Sequence, residues 1–215
     1  MAAIFAGTIA AALGSAFVIA SIAAAWLQLG PNRKRAQAQT WLLQEGIDNA
    51  LRTALKPVLM DMWKEAWGAG HESAVTVSGL SFAVHFNAND FMERWGRQWL
   101  NEVVQTRMND LTRILAEGPD DLPGLIRELR SYLRNEESAH LIAVTEITRA
   151  VNIAAAEAYR HAGIFEVRWQ TEDANACRLC VANERAGSRQ LGMPFPSGAT
   201  APPQHPRCRC ALLPA

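Results

Sequence analysis

All four cysteines of this 215-residue chain lie in its last forty residues, and they fall in pairs. Cys177 and Cys180 are separated by two residues, and 24 residues later the chain reads His205-Pro206-Arg207-Cys208-Arg209-Cys210. Two short pairs of thiolate or imidazole donors joined by a long loop have the spacing of a small metal module, and zinc takes both donor types. Five candidates compete for four tetrahedral places: Cys177, Cys180, His205, Cys208 and Cys210. The spacing leaves open which four are used. His205 with Cys208 repeats the two-residue gap of the first pair. Cys208 with Cys210 would instead complete an all-thiolate site, its charge offset by Arg178, Arg207 and Arg209. The intervening segment carries Gly187, Gly192, Pro194, Pro196, Gly198, Pro202 and Pro203 and few large apolar residues. A bound cation, rather than apolar burial, is therefore expected to hold it. The alternatives are two disulfides in a secreted tail, or thiols buried as ordinary apolar groups.

The first 32 residues contain no charged side chain. As one helix, Ile4 to Leu29 would run about 39 Å, enough to cross a bilayer. Arg33, Lys34 and Arg35 would then hold its end at the cytoplasmic face. An alanine-rich helix packed among protein neighbours is the other reading. A signal peptide fits less well, because no basic residue precedes the apolar stretch and the stretch is too long, although Ala23-Ala24-Ala25 has the form of a cleavage site. The whole chain carries 21 basic and 21 acidic residues, so global charge makes no case for wrapping nucleic acid.

From Arg33 to Gly163 the pattern is helix after helix. Trp41, Gln44, Ile47, Leu51, Leu55, Val58, Leu59, Met62 and Trp63 recur at spacings of three and four. Pro57 is expected to bend or restart that helix, and Gly68-Ala69-Gly70 to weaken it. Val75 to Phe86 is expected to be a loop, with a short strand as the alternative. Asn87 to Asp90 offer caps for a helix carrying Phe91, Trp95, Trp99, Val103, Met108, Leu111 and Leu115 as packing core. Gly118-Pro119-Asp120-Asp121 ends it. Pro123 opens a shorter helix, with Leu125, Ile126, Leu129 and Leu133 inward and Arg127, Arg130 and Arg134 in solvent. A regular helix follows from about Glu137 to His161, with Gly163 as its C-cap. Leu141, Val144, Ile147 or Thr148, Val151, Ala155 and Ala158 make its apolar face. Thr145, Glu146, Arg149 and Asn152 form an adjacent polar stripe, read as a strut that docks the helix on the metal lobe rather than as a surface ion pair of little worth. Ile164 to Trp169 alternates as a strand, and Ala211-Leu212-Leu213 could pair with it.

These pieces, in order, resemble the Mu-F-like minor head protein family of tailed bacteriophages. The resemblance rests on Ala143-Val144-Thr145-Glu146, Arg149, Asn152, Gly163, Trp169, Thr171, Asp173, Cys177-x-x-Cys180, Gly187 and Pro202-Pro203-x-His205-Pro206-x-Cys208-Arg209-Cys210. Val144 departs from the family, which often has a basic residue before the Thr-Glu pair. The resemblance covers the C-terminal 80 or so residues. It implies a minor capsid protein near the portal vertex, acting in head morphogenesis with genome retention or ejection as further roles. The implied partners are the portal protein and other head proteins, with no small-molecule substrate. The implied location is the virion head, and the host cytoplasm during assembly. DNA contact stays undecided. Residues 1–32 could touch the host membrane during ejection.

The expected fold is mainly α: an elongated helical N-terminal region, then a small α+β C-terminal lobe stabilised by zinc. It divides as 1–32 (charge-free apolar helix), 33–136 (helical region) and 137–215 (the module with the Cys/His cluster). No catalytic residue is assigned. His71, His85, His140 and His161 are scattered, Asp173 and Glu184 are weak candidates for a base, and no H-E-x-x-H, nucleophile elbow or phosphate loop occurs. Thiolates at every pair favour a closed structural site over a catalytic one. The alternatives are a membrane-anchored zinc-binding protein and, less favoured, a zinc-dependent hydrolase.

Overall fold

The structure, a computed structural model, describes residues 2–15, 18–20, 22–23, 35–44, 46–80, 85–119, 121–172 and 176–215. The chain is mainly helical with a small three-stranded antiparallel sheet near its C-terminus. It forms two compact units, one of Ala3–Met60 and Asn89–His140, the other of Asp61–Ala88 and Leu141–Ala215. The expectations placed on residues 24–34 (including Arg33 and Lys34), on 81–84, on Asp120 and on Asp173 lie outside the described residues.

In the first unit, α1 (Ala2–Leu13) buries Phe5, Ile9 and Leu13. Of the helix expected from Ile4 to Leu29, the described part is not continuous: α1 ends at Leu13. The chain breaks at Gly14, and the Ser15 hydroxyl accepts from the Val18 N–H at 3.4 Å to cap a new turn. The 12 residues of α1 span about 18 Å. No helix among the described residues is long and apolar enough to cross a membrane. Helix α2 (Arg35–Gln44) packs on α5 (Arg97–Glu117), which also meets α6 (Leu122–Leu133). A short α4 (Ala88–Phe91) leads into α5 through a π-helical turn, Met92–Gly96, that the sequence pattern did not signal. The extra residue in that turn shifts the facing of the helix. Phe91 thereby lies 5.9 Å from Trp95 and 5.4 Å from Trp99, ring centre to ring centre. Helix α6 starts beside Pro123 as expected, but Asp121, read as ending the previous helix, is its N-cap and accepts from the Gly124 N–H at 2.7 Å; Leu125, Leu129 and Leu133 are buried, Ile126 is only half-buried, and Arg127, Arg130 and Arg134 are exposed.

Helix α3 (Ile47–Ser78) corrects three expectations at once. It runs through Pro57 and through Gly68-Ala69-Gly70, and it includes Val75 to Ser78, which were read as loop. The break in the stripe falls instead at Gly46, between α2 and α3. Pro57 is exposed while Leu55 and Leu59 on either side are fully buried. Burial of that stripe outweighs the roughly 3 kcal/mol that an interior proline costs. Gly70 does not weaken the helix but lets it approach α7 (Glu136–His161): a Cβ there would stand 2.3 Å from the Val151 carbonyl oxygen. We expect Gly70→Ala to destabilise the chain by about 1–3 kcal/mol through overpacking against backbone that cannot yield. Gly68→Ala, where a Cβ meets nothing within 4 Å, should be neutral or stabilising in the same thermal melts.

Helix α7 ends in a Schellman arrangement. Gly163 takes φ 72°, the Ile164 N–H donates to the Tyr159 carbonyl at 2.9 Å, and the Gly163 N–H donates to that of Arg160 at 3.2 Å. The turn delivers the chain into β1 (Glu166–Gln170), where Val167 and Trp169 point inward and Glu166 and Arg168 outward. β1 is the central strand, flanked by β2 (Ser188–Gln190) and β3 (Ala211–Pro214), both antiparallel to it. The β1–β3 pairing agrees with the sequence expectation, whereas β2 was not foreseen. Between β1 and β2 lies α8 (Arg178–Arg185).

The lobe also has more apolar substance than its composition promised. Trp169 meets Phe195 edge to face at 5.3 Å, and Val167, Leu212, Tyr159 and three of the four cysteines pack around them. Phe195 is turned inward by a tight turn in which its N–H donates to the Ala199 carbonyl and its carbonyl accepts from Gly198.

Candidate metal centre

The first cysteine pair is built on the start of α8. Cys177 is the N-cap residue, and its sulfur accepts from the Cys180 N–H at 3.4 Å. That backbone hydrogen bond, helped by the Leu179 N–H, holds the Cys177 thiol below its usual titration range. A thiol so placed favours the thiolate, the form that binds metals. One turn on, Cys180 is 1% exposed, and burial pushes its thiol well up. Burial raises Cys210 as well. Without a cation these sulfurs are held as neutral thiols; a cation would take the place of their protons.

The second cluster reaches the first from the far end of the loop. His205 and Cys208 are joined by a tight turn in which the Cys208 N–H donates to the His205 carbonyl at 3.1 Å. Arg207 in that turn has φ 63°, an unfavourable region for a residue with a Cβ. Its N–H is held by the Thr145 hydroxyl on α7 at 3.2 Å. Cys180 Sγ lies 3.5 Å from His205 Nε2 and 3.8 Å from Cys208 Sγ. Two overlapping triads result, Cys177–Cys180–His205 and Cys180–Cys208–Cys210, each with its ligand atoms within 4.8 Å of one another. The structure thus gathers all five sequence candidates into one cluster that can hold a metal ion, with Cys180 common to both triads. All four cysteines are free, and the 3.8 Å sulfur separation is far beyond a disulfide bond of about 2.05 Å. His205 Nδ1 lies 2.7 Å from the Pro206 carbonyl oxygen. Since that oxygen can only accept, Nδ1 carries a proton, and in the neutral ring the Nε2 lone pair faces the sulfurs. Carbonyl support of this kind is common behind metal-binding histidines.

The polar stripe of α7 meets this cluster from behind. The Asn152 Nδ2 group donates to the Cys210 carbonyl at 3.1 Å and to the Thr148 carbonyl at 2.8 Å, while its Oδ1 accepts from the Leu212 N–H at 2.6 Å. Thr145 supports Arg207 and donates to the Leu141 carbonyl at 2.7 Å. Glu146, 3% exposed, pairs with Arg149 at 3.6 Å and accepts from the Trp63 indole N–H at 3.3 Å. The stripe therefore divides: Thr145 and Asn152 hold the segment that carries the ligands, and Glu146 with Arg149 ties α7 to α3. Tyr159, two turns beyond Asn152, donates to the Leu212 carbonyl at 3.3 Å, and burial raises its hydroxyl to about 12.

Two further residues position the centre without having been singled out for it. Asn183 is fully buried; its amide donates to the Ser197 hydroxyl and accepts from the Ser197 N–H, fastening the long loop to α8. Glu184, read as a weak candidate base, instead accepts from the Thr171 hydroxyl at 2.7 Å, the Thr171 N–H at 3.0 Å and Gln170 at 2.9 Å. Those Thr171 bonds hold its carboxyl below the usual range. Its stabilising effect is thus present above the ordinary carboxylate value and is lost as pH falls through the depressed one. A short-range pattern could have found Asn183 only as a helix residue, because its partner lies 14 residues away. Arg207 and Arg209 line the pocket over the cluster, but Arg178, named with them as a charge partner, lines a separate groove. Among the described residues none of His71, His85, His140 and His161 joins a metal-binding group. No protein-family model, curated protein or solved structure gives a significant match to the chain.

Proposed function

We propose that the chain is a minor head protein of a tailed bacteriophage whose C-terminal lobe is organised by structural zinc. What supports the metal identity is the donor set and its spacing. A tetrahedral zinc site with Zn–S bonds of about 2.3 Å and Zn–N bonds of about 2.0 Å has S···S edges near 3.8 Å and S···N edges near 3.5 Å. The Cys180–Cys208 and Cys180–His205 separations are 3.8 Å and 3.5 Å. We assign Cys177, Cys180, His205 and Cys208 as ligands. Cys210 is left as the surplus donor of the second triad, because His205 with Cys208 repeats the two-residue gap of Cys177 with Cys180. Zinc held by three thiolates and an imidazole has no open position and would supply folding free energy rather than chemistry.

The observation that carries the head-protein reading is the joint use of its motif residues. Thr145, Asn152, Gly163, Trp169, the Cys-x-x-Cys pair and the His-Pro-x-Cys-Arg-Cys segment lie in one unit, where Thr145 holds Arg207, Asn152 holds Cys210, and Trp169 packs in one core with Cys180, Cys208 and Cys210. On this reading the chain joins the portal protein and other head proteins near the portal vertex. The charge-free N-terminus serves assembly or contact with the host envelope. The test is quantitative mass spectrometry of purified particles, with affinity capture of the portal from infected cells. The expected result is a few copies per particle and co-capture with the portal. Recovery only from host membranes, with none in particles, would refute it.

A further inference from the structure

The metal centre leaves one strongly charged feature of the same lobe unused. An open groove runs along the outer face of α8, lined by Arg178, Val181, Ala182, Arg185, Arg189 and Pro196 among others. Arg178, Val181, Ala182 and Arg185 follow the helical spacing of one face, and Arg189 closes the groove from the edge strand β2. All three arginines are exposed, and none makes an ion pair or hydrogen bond through its guanidinium among the described residues. Among the described residues no acidic side chain lines the groove. The one carboxylate on α8, Glu184, is turned away and held by Thr171 and Gln170. Three uncompensated cations thus stand together in a chain whose total charge is zero.

We propose that this groove binds the phosphate backbone of nucleic acid, with Arg178, Arg185 and Arg189 as the contacting cations. The planar guanidinium fork matches phosphate oxygens in a way an ammonium does not, and every cation here is an arginine. Arg178 and Arg185 are two helical turns apart, about 10.5 Å, which covers about three nucleotide rises of 3.4 Å along one strand. The floor between them is made of small side chains, Val181 and Ala182, which leaves room for a strand. Nothing in the groove offers the aromatic platforms or base-edge readers that sequence recognition requires, so contact is with phosphate and independent of sequence. The inference stands apart from the head-protein reading and from the choice of metal.

The test is fluorescence anisotropy of a labelled 30-base-pair duplex with the full metal-loaded chain. Three phosphate contacts predict a slope of about −2.7 in log affinity against log salt, or about a fortyfold loss from 50 to 200 mM. Arg178→Gln with Arg185→Gln and Arg189→Gln should weaken binding at least tenfold and flatten that slope. Arg127→Gln with Arg130→Gln, on the exposed face of α6, should leave both unchanged. Circular dichroism and metal content of the triple variant should match the parent, since all three side chains are exposed. No binding at 50 mM salt, or equal binding by the triple variant, would overturn the proposal. So would tighter binding to poly-glutamate or to phosphatidylglycerol vesicles than to the duplex, which would reassign the groove to an acidic protein or a lipid surface.

Discussion

Stripping the metal from the native chain is expected to unfold the C-terminal lobe while the helices of the other unit persist. Structural zinc in small modules contributes an apparent 10–16 kcal/mol or so at neutral pH, whereas the core of a lobe this small rarely nets more than about 5 kcal/mol. On the proposed zinc reading the Trp169–Phe195 core adds to the metal but does not replace it. Chelator-treated protein should lose the near-ultraviolet signal of Trp169 and become protease-sensitive between residues 171 and 210. Cys180→Ser and Cys208→Ser should do the same and leave the chain without metal. Cys210→Ser should retain metal, because Cys210 is the surplus donor in the proposed ligand set; loss of metal there with retention in His205→Ala would replace that set by the all-thiolate one. Freshly isolated protein that carries no transition metal, with proteolysis unchanged by chelation, would refute the zinc-held lobe.

Asn152→Ala is expected to cost about 3–5 kcal/mol, the largest effect of any single change away from the metal ligands. The amide is 2% exposed and joins α7 to both ends of the ligand-bearing terminus, accepting from Leu212 and donating to Cys210. Truncation strands a buried N–H and a buried carbonyl at once, each costing about 1–3 kcal/mol. Asn152→Asp keeps the acceptor for Leu212, removes the donor for Cys210 and introduces a buried charge, so it should be no milder. Arg149→Ala is the contrast. Arg149 is partly exposed, and its buried partner Glu146 keeps the Trp63 indole, so a smaller loss of about 1–3 kcal/mol is expected. Denaturant titrations of the metal-loaded variants would rank the three. An Asn152→Ala loss below that of Arg149→Ala would show that the amide is not what docks α7 on the lobe.

Some of this was legible along the chain because it is local. The cap at Gly163, the alternation of Val167 and Trp169, and the helical stripes of α3 and α5 each follow from neighbours within a few residues. Where the reading missed, a distant contact overruled a local preference. Gly70 reads as a helix breaker until Val151 is placed against it, and Pro57 reads as a bend until Leu55 and Leu59 are seen buried beside it. Residues 61–88 join the C-terminal residues in one unit, an association no short-range pattern carries.

The sequence alone determined the donor chemistry: which residues can give thiolate or imidazole, and that they come as two pairs divided by a loop too poor in apolar groups to set its own shape. It also determined that helices dominate, because a period of three to four in the apolar residues admits little else. Only the tertiary structure decided that both pairs meet at Cys180, that Asn152 and Thr145 brace them from α7, and that Arg178 turns from the cluster into a groove of its own. The physical reason is range. Periodicity and capping act within a few residues, while the cluster, the strut and the groove depend on side chains brought together over separations of 25 to 62 positions, or on the direction in which a packed helix happens to face.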